Sequence, residues 1–153
     1  MPSILFVCTG NLCRSPMAEG LFRAQLAQAG LADWRVGSCG TWTSDGYPAT
    51  PEGVRALAAR GIDISRHRSR QVTEALLAQA DLVLCMTRAH VEALRAEFPS
   101  HARRVRLLSS VTGANYDIPD PIGKPQSEYE ATAAEIGRIL KGGFARILED
   151  AKT

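Results

Sequence analysis

Residues 3–16 read Ser3-Ile4-Leu5-Phe6-Val7-Cys8-Thr9-Gly10-Asn11-Leu12-Cys13-Arg14-Ser15-Pro16. The apolar run Ile4 to Val7 has the length of a buried strand. It stops at a polar turn that contains Gly10. Ser15-Pro16 then has the form of a helix start, with Ser15 as N-cap and Pro16 at the first helical position. Ala18, Leu21, Phe22, Leu26 and Ala29 follow at helical spacing, and Gly30 ends the run. A strand, a short turn and a helix in this order form the opening of an α/β unit.

The rest of the chain repeats that alternation. Trp34 to Cys39 reads as a second strand ending in Gly40, and residues 41–50 (TWTSDGYPAT) as a loop. Thr50-Pro51 opens a second helix, with Val54, Leu57 and Ala58 on one face and Gly61 as its stop. Thr73 to Ala80 fits a short helix. Residues 81–86 (DLVLCM) form an apolar run of the kind that suits a strand buried on both faces. Arg88 to Phe98 reads as another helix, and Val105, Leu107 and Leu108 suggest a fourth strand. Residues 111–125 make a long loop with three prolines, and loops of that length are usually functional. Tyr129, Ala133, Ile136, Leu140 and Ile147 fall on one face of a final long helix, weakened at Gly142-Gly143. The expected fold is a four-stranded parallel sheet with helices on both faces. Ligands of such sheets bind beyond the carboxyl ends of the strands.

Composition narrows the function. The 153 residues carry 18 Lys+Arg against 16 Asp+Glu, a net charge of +2, with 45% apolar residues. That fits one domain over residues 1–153 and excludes intrinsic disorder. The charge is too small to argue for nucleic acid or membrane binding. No apolar run approaches a membrane span, and the N-terminus lacks the pattern of a signal peptide. A reducing, cytoplasmic setting is the expectation. Cys8, Cys13, Cys39 and Cys85 are too sparse for a disulfide scaffold, and their spacing with His67, His90 and His101 suggests no metal site. The sequence sets no oligomeric state.

The turn after the first strand carries the chemistry. Cys8 to Ser15 is a C-x5-R-S loop running into a helix N-terminus. Successive backbone N–H groups curling into such a terminus make an anion cradle. Arg14 adds a guanidinium that forks onto two phosphate oxygens. Cys8 lies at the base of that positive field, where a thiolate is stabilised and becomes a nucleophile for phosphoryl transfer. Gly10 and Asn11 both tolerate left-handed backbone, which a tight cradle requires.

CTGNLCRSPMAE near the N-terminus, RHRSRQVT, DLVLCMTRAH and the late IPDP together resemble the low-molecular-weight protein tyrosine phosphatases over nearly the whole chain. The resemblance implies a cofactor-free, metal-free enzyme acting on phosphotyrosine proteins or peptides. It implies Cys8 as nucleophile, Arg14 as phosphate and transition-state binder, and Asp120, in Asp120-Pro121, as general acid and later base; the chemistry needs one carboxylate delivered over the pocket by a loop, for which Asp117 is a nearby competitor. Ser15 would hydrogen-bond the thiolate. Asn11 would prop the loop with support from Ser38 and His67. Thr9, Gly10, Leu12 and Cys13 would complete the substrate cradle. The family also implies a Cys8–Cys13 disulfide that shields the nucleophile from over-oxidation. Trp42 and Tyr47 lie where the family places aromatic walls of the pocket, although loop aromatics equally pack on a core. Cys39 and Cys85 read as core cysteines, and Arg66, Arg68 and Arg70 as a solvated surface.

Three features bear on the choice within the fold. Ile122-Gly123-Lys124 follows Asp120-Pro121, where the family often has aromatics. A related branch acts on phosphoarginine; it resembles this chain in ATPEGVRAL but has threonine where this chain has Leu12. The related arsenate reductases need two further cysteines about seven residues apart; Cys85 could be one, but position 92 is Glu92. A non-enzymatic phosphate binder is the remaining alternative, and no expected residue is missing that would force it. The expected substrate is phosphotyrosine, with protein arginine phosphatase as the alternative.

Overall fold

Side chains of the first strand alternate between two apolar layers, and that alternation builds the fold. The computed structural model describes residues 1–153. Strand β1 (Ser3–Cys8) sends Ile4, Phe6 and Cys8 to one face and Leu5 and Val7 to the other. Helix α1 (Arg14–Gln28), β2 (Arg35–Gly40), α2 (Pro51–Ala58), α3 (Glu74–Gln79), β3 (Leu82–Cys85), α4 (Arg88–Glu97), β4 (Val105–Leu107), α5 (Gln126–Gly142) and α6 (Phe144–Lys152) follow, with 3₁₀ turns at Pro99–Arg104 and Leu108–Thr112. The sheet has four parallel strands in the order β2-β1-β3-β4.

Helices α1, α5 and α6 cover the Ile4–Phe6 face through Ala18, Phe22, Leu26, Ile136, Leu140 and Ile147. Phe6 and Phe22 meet edge-to-face at 5.8 Å, which adds roughly 0.5–1.5 kcal/mol to their burial. Helices α3 and α4 cover the other face through Leu77, Val91 and Leu94, on Leu5, Val7, Cys39 and Cys85. Burial pushes the Cys39 thiol up to about 12 and the Cys85 thiol higher still, so both are inert core groups. The chain leaves β1 first for β2 and later for β3, on opposite sides, so the strand order reverses at β1. The turn after Cys8 lies at that point.

The structure corrects three local expectations. Ser15 is not the N-cap of the first helix: α1 begins at Arg14 with Cys13 as its cap residue, and Pro16 is the third helical residue. The Ser15 hydroxyl is engaged by Cys8 and Asn11 instead. Only Asn11 of the turn is left-handed, at φ 57; Gly10 is not. The final helix is broken into α5 and α6 at Gly143, where a Cβ would run into Val111, so only glycine fits at this junction. No helix is long and apolar enough to cross a membrane.

Candidate active site

Residues 8–15 leave the carboxyl end of β1 and curl into the first turn of α1. Cys8, Asn11, Cys13, Arg14 and Ser15 are buried, while Thr9, Gly10 and Leu12 are half-buried. The Cys8 Sγ lies 2.9 Å from Ser15 Oγ. Asn11 Nδ2 donates to Ser15 Oγ at 2.8 Å and to Ser38 Oγ at 2.9 Å. With its oxygen accepting from Asn11, the Ser15 hydroxyl has its proton free for the sulfur.

Asn11 is the hub of the turn. Its Oδ1 accepts from the Arg70 backbone N–H at 3.0 Å, and its carbonyl accepts from His67 Nε2 at 2.7 Å. A carbonyl can only accept, so that nitrogen carries the His67 proton. Burial lowers the His67 pKa, against the raising effect of the Asn11 carbonyl, so the ring favours its neutral form. Ser38 Oγ in turn donates to Glu19 at 2.6 Å. Each contact satisfies a polar atom that burial would otherwise penalise, and together they hold a left-handed residue in place.

Arg14 is 4% exposed and approaches the late loop. Its NH1 donates to the Ile118 carbonyl at 2.8 Å, and its NH2 lies 3.5 Å from Asp120. Its Nε is buried without a partner, an unspent donor beside the cradle. Asp120 is itself exposed. Asp117 points elsewhere: it accepts from the Arg88 backbone N–H at 2.9 Å and from Arg88 Nε at 3.2 Å, at the start of α4. Those contacts lower its pKa, the backbone bond most. The structure thus brings Asp120, not Asp117, to the guanidinium.

The other expected residues occupy the rim. Leu12 packs partly on the cluster of Met17, Leu57 and Tyr129. Cys13 has Tyr129 Oη and Thr50 Oγ1 each 3.6 Å from its sulfur, and burial pushes its thiol up. All four cysteines are free. The Trp42 backbone N–H donates to the Thr9 carbonyl, which ties the second loop to the cradle. Trp42 and Tyr47 are 84% and 57% exposed, so neither packs on the core. Ile122, also exposed, stands after Asp120-Pro121. A groove of about 670 Å³ between α1 and α5 lies elsewhere and takes none of these residues.

Four contributors had no sequence signal of their own. Glu19, the Ile118 carbonyl and Tyr129 reach the site only through packing. His90 was read as part of a helix, yet its Nε2 lies 2.8 Å from Thr9 Oγ1 in the cradle. No three His, Cys, Asp or Glu side chains converge as a metal-ligand set.

Comparison with known proteins gives a consistent picture. The family model described as low molecular weight phosphotyrosine protein phosphatase matches residues 3–153. A protein-arginine-phosphatase of Bacillus subtilis (strain 168) is 40% identical over 139 residues, 90% of this chain and 91% of its own. A probable low molecular weight protein-tyrosine-phosphatase, EpsP of Ralstonia solanacearum, is 39% identical over 145 residues, covering 95% of each. A solved structure of the YwlE arginine phosphatase, a cysteine-to-serine mutant with a phosphorylated active-site serine, superposes with a TM-score of 0.90. It is 38% identical and covers 96% of this chain and 95% of that one.

Proposed function

Because the chain belongs to the low molecular weight phosphotyrosine protein phosphatase family, we propose that residues 1–153 hydrolyse phosphotyrosine in proteins or peptides through a phosphocysteine intermediate. The observation that carries this reading is Cys8 Sγ at 2.9 Å from the Ser15 hydroxyl, on the same turn as a buried Arg14 with a free Nε–H. The Ser15 proton stabilises the Cys8 thiolate. The thiolate attacks phosphorus while Arg14 and the backbone N–H groups of the turn hold the equatorial oxygens. The P–O bond breaks, and Asp120 gives its proton to the departing phenolate. Asp120, now a carboxylate, takes a proton from water, whose oxygen attacks the phosphocysteine and returns the thiolate with inorganic phosphate.

Leu12, Trp42 and Tyr47 supply the specificity. Leu12 presents an apolar surface beside the cradle and offers no hydrogen bond to a guanidino group. A phenyl ring is long enough to carry phosphorus to the floor, whereas phosphoserine pulls its own backbone against the rim. The exposed aromatics Trp42 and Tyr47 give the ring a face to stack on. Cys13, buried within the nucleophile's own loop, is the partner for a protective disulfide with Cys8 under oxidation. The four free thiols suit a reducing, cytoplasmic setting.

A second reading is favoured by the 40% identity to a protein-arginine-phosphatase: this chain acts on phosphoarginine. One experiment separates the two. Phosphotyrosine, phosphoserine and phosphoarginine peptides are offered to the wild type and to Cys8→Ser. Phosphotyrosine should give the highest kcat/KM, and Cys8→Ser should bind phosphate but not turn over. A higher kcat/KM for phosphoarginine establishes the second reading, and wild-type turnover by Cys8→Ser ends the phosphocysteine mechanism.

A further inference from the structure

His90 is 7% exposed at the third position of α4 and lies 81 residues from its partner in the cradle. Its ring tautomer follows from its neighbours. The Thr87 backbone N–H donates to Nδ1 at 3.2 Å, so Nδ1 carries no proton. Thr87 Oγ1 accepts from the His90 backbone N–H at 3.2 Å and stands 3.0 Å from Nδ1, closing a capping box. The neutral ring therefore holds its proton on Nε2, and Nε2 donates to Thr9 Oγ1 at 2.8 Å. Burial, joined by the Arg14 charge, keeps the ring neutral by lowering its pKa to about 4, against the opposing effect of Asp117 and Asp120.

This accounting leaves one proton unspent. Thr9 Oγ1 is the acceptor in its bond to His90, and no protein atom accepts the Thr9 hydroxyl proton. Thr9 directly follows Cys8 at the start of the turn, so its hydroxyl belongs to the same short loop as the nucleophile. We propose that His90 is a positioning residue that fixes the Thr9 hydroxyl as a donor to the phosphoryl oxygens of the bound substrate. The proposal rests on the phosphatase reading, since it names a further contact of that same cradle. A hydroxyl oxygen that accepts from a neutral imidazole becomes a better donor through its own proton. The start of α4 then references two parts of the site at once: the cradle through His90, and the late loop through Arg88 and Asp117.

The test is a double-mutant cycle of His90→Asn and Thr9→Val, read by calorimetric binding of inorganic phosphate and by aryl phosphate kinetics. Asparagine keeps an acceptor where Nδ1 stood, so α4 remains capped, but it does not reach Thr9. Each single variant should weaken phosphate binding and raise KM by about tenfold to a hundredfold, the scale of a lost hydrogen bond to a charged group. The double variant should be no weaker than Thr9→Val alone, and kcat should stay within about threefold, as expected when ground state and transition state lose the same contact. Wild-type phosphate affinity in either single variant overturns the proposal. So does a His90→Asn loss that repeats in full in the Thr9→Val background, because His90 would then act by another route. Should His90→Asn not fold, His90→Ser, whose backbone N–H keeps the Thr87 side-chain cap and whose short side chain does not reach Thr9, takes its place with the same outcomes. A wild type that binds phosphate yet hydrolyses no phosphomonoester refutes the phosphatase reading, and the calorimetric cycle still decides the role of His90.

Discussion

Replacing Asn11 separates the two things that residue does. Its carboxamide makes three hydrogen bonds, to Ser15 Oγ, to Ser38 Oγ and from the Arg70 N–H. Each is worth about 0.5–1.5 kcal/mol net, so removing the amide should cost roughly 3 kcal/mol. Its backbone also sits at φ 57, which costs an alanine about 1–2 kcal/mol and a glycine nothing. Glycine loses part of that advantage, about 0.4–1 kcal/mol, because it loosens the unfolded chain. Asn11→Ala should therefore be destabilised by roughly 4 kcal/mol and Asn11→Gly by about 0.5–1 kcal/mol less. For 153 residues, each kcal/mol moves the midpoint of thermal unfolding by roughly 3–4 °C. Urea unfolding and thermal melts of the two variants measure both quantities, and aryl phosphate turnover should fall in both because Ser15 loses its fixed orientation. Equal stability of the alanine and glycine variants would refute the backbone argument. A loss below about 1 kcal/mol in Asn11→Gly would refute the network argument.

Three further outcomes follow from the same geometry. Asp120→Ala should lower kcat by about 10²–10⁴-fold on an alkyl-substituted phenyl phosphate and far less on an activated nitrophenyl ester. Asp117→Asn, which loosens only the α4 anchor, should not reproduce that dependence on leaving group; if it does and Asp120→Ala does not, the acid is misassigned. Gly40→Ala should displace the cradle, since its Cβ would meet the Thr9 carbonyl at 2.5 Å and the Asn11 nitrogen at 3.2 Å. A destabilisation of about 1–3 kcal/mol and a drop in phosphate affinity are expected, whereas normal melting and binding would show that the turn is looser than its contacts imply. Stability should rise with pH between about 4 and 6.5: the folded His90 resists protonation down to about 4, while the unfolded chain takes up that proton near 6.5. Urea midpoints across that range should climb with pH in the wild type and climb less in His90→Asn, and identical slopes would remove His90 from the account.

The order of strands and helices was legible because its signals are local. Alternation in Ser3–Cys8, the apolar run Leu82–Cys85, and Pro51 with Gly61 around α2 act within a few residues of themselves. The cradle was legible for the same reason, since Cys8, Arg14 and the turn between them lie on one short piece of chain. The errors arose where a distant partner competes for a local signal. Ser15-Pro16 has the composition of a helix start, but the Ser15 hydroxyl is taken by Cys8 and Asn11, so the helix opens earlier. Gly142-Gly143 weakens any helix, but only the fold sets Val111 so close to Gly143 that no Cβ fits there.

By itself the sequence determined the parallel α/β architecture, the position of the anion cradle at the end of the first strand, and the residue types able to work there. Only the tertiary structure decided which of them meet. It chose Asp120 over Asp117 by placing the first on Arg14 and the second on Arg88, a choice that two aspartates three positions apart do not reveal. It brought His90 to Thr9 across 81 residues and Tyr129 to Cys13 across 116. Local propensity depends on neighbours along the chain, whereas hydrogen-bond partners across the sheet depend on how the strands and helices pack, and that packing is a property of the whole fold.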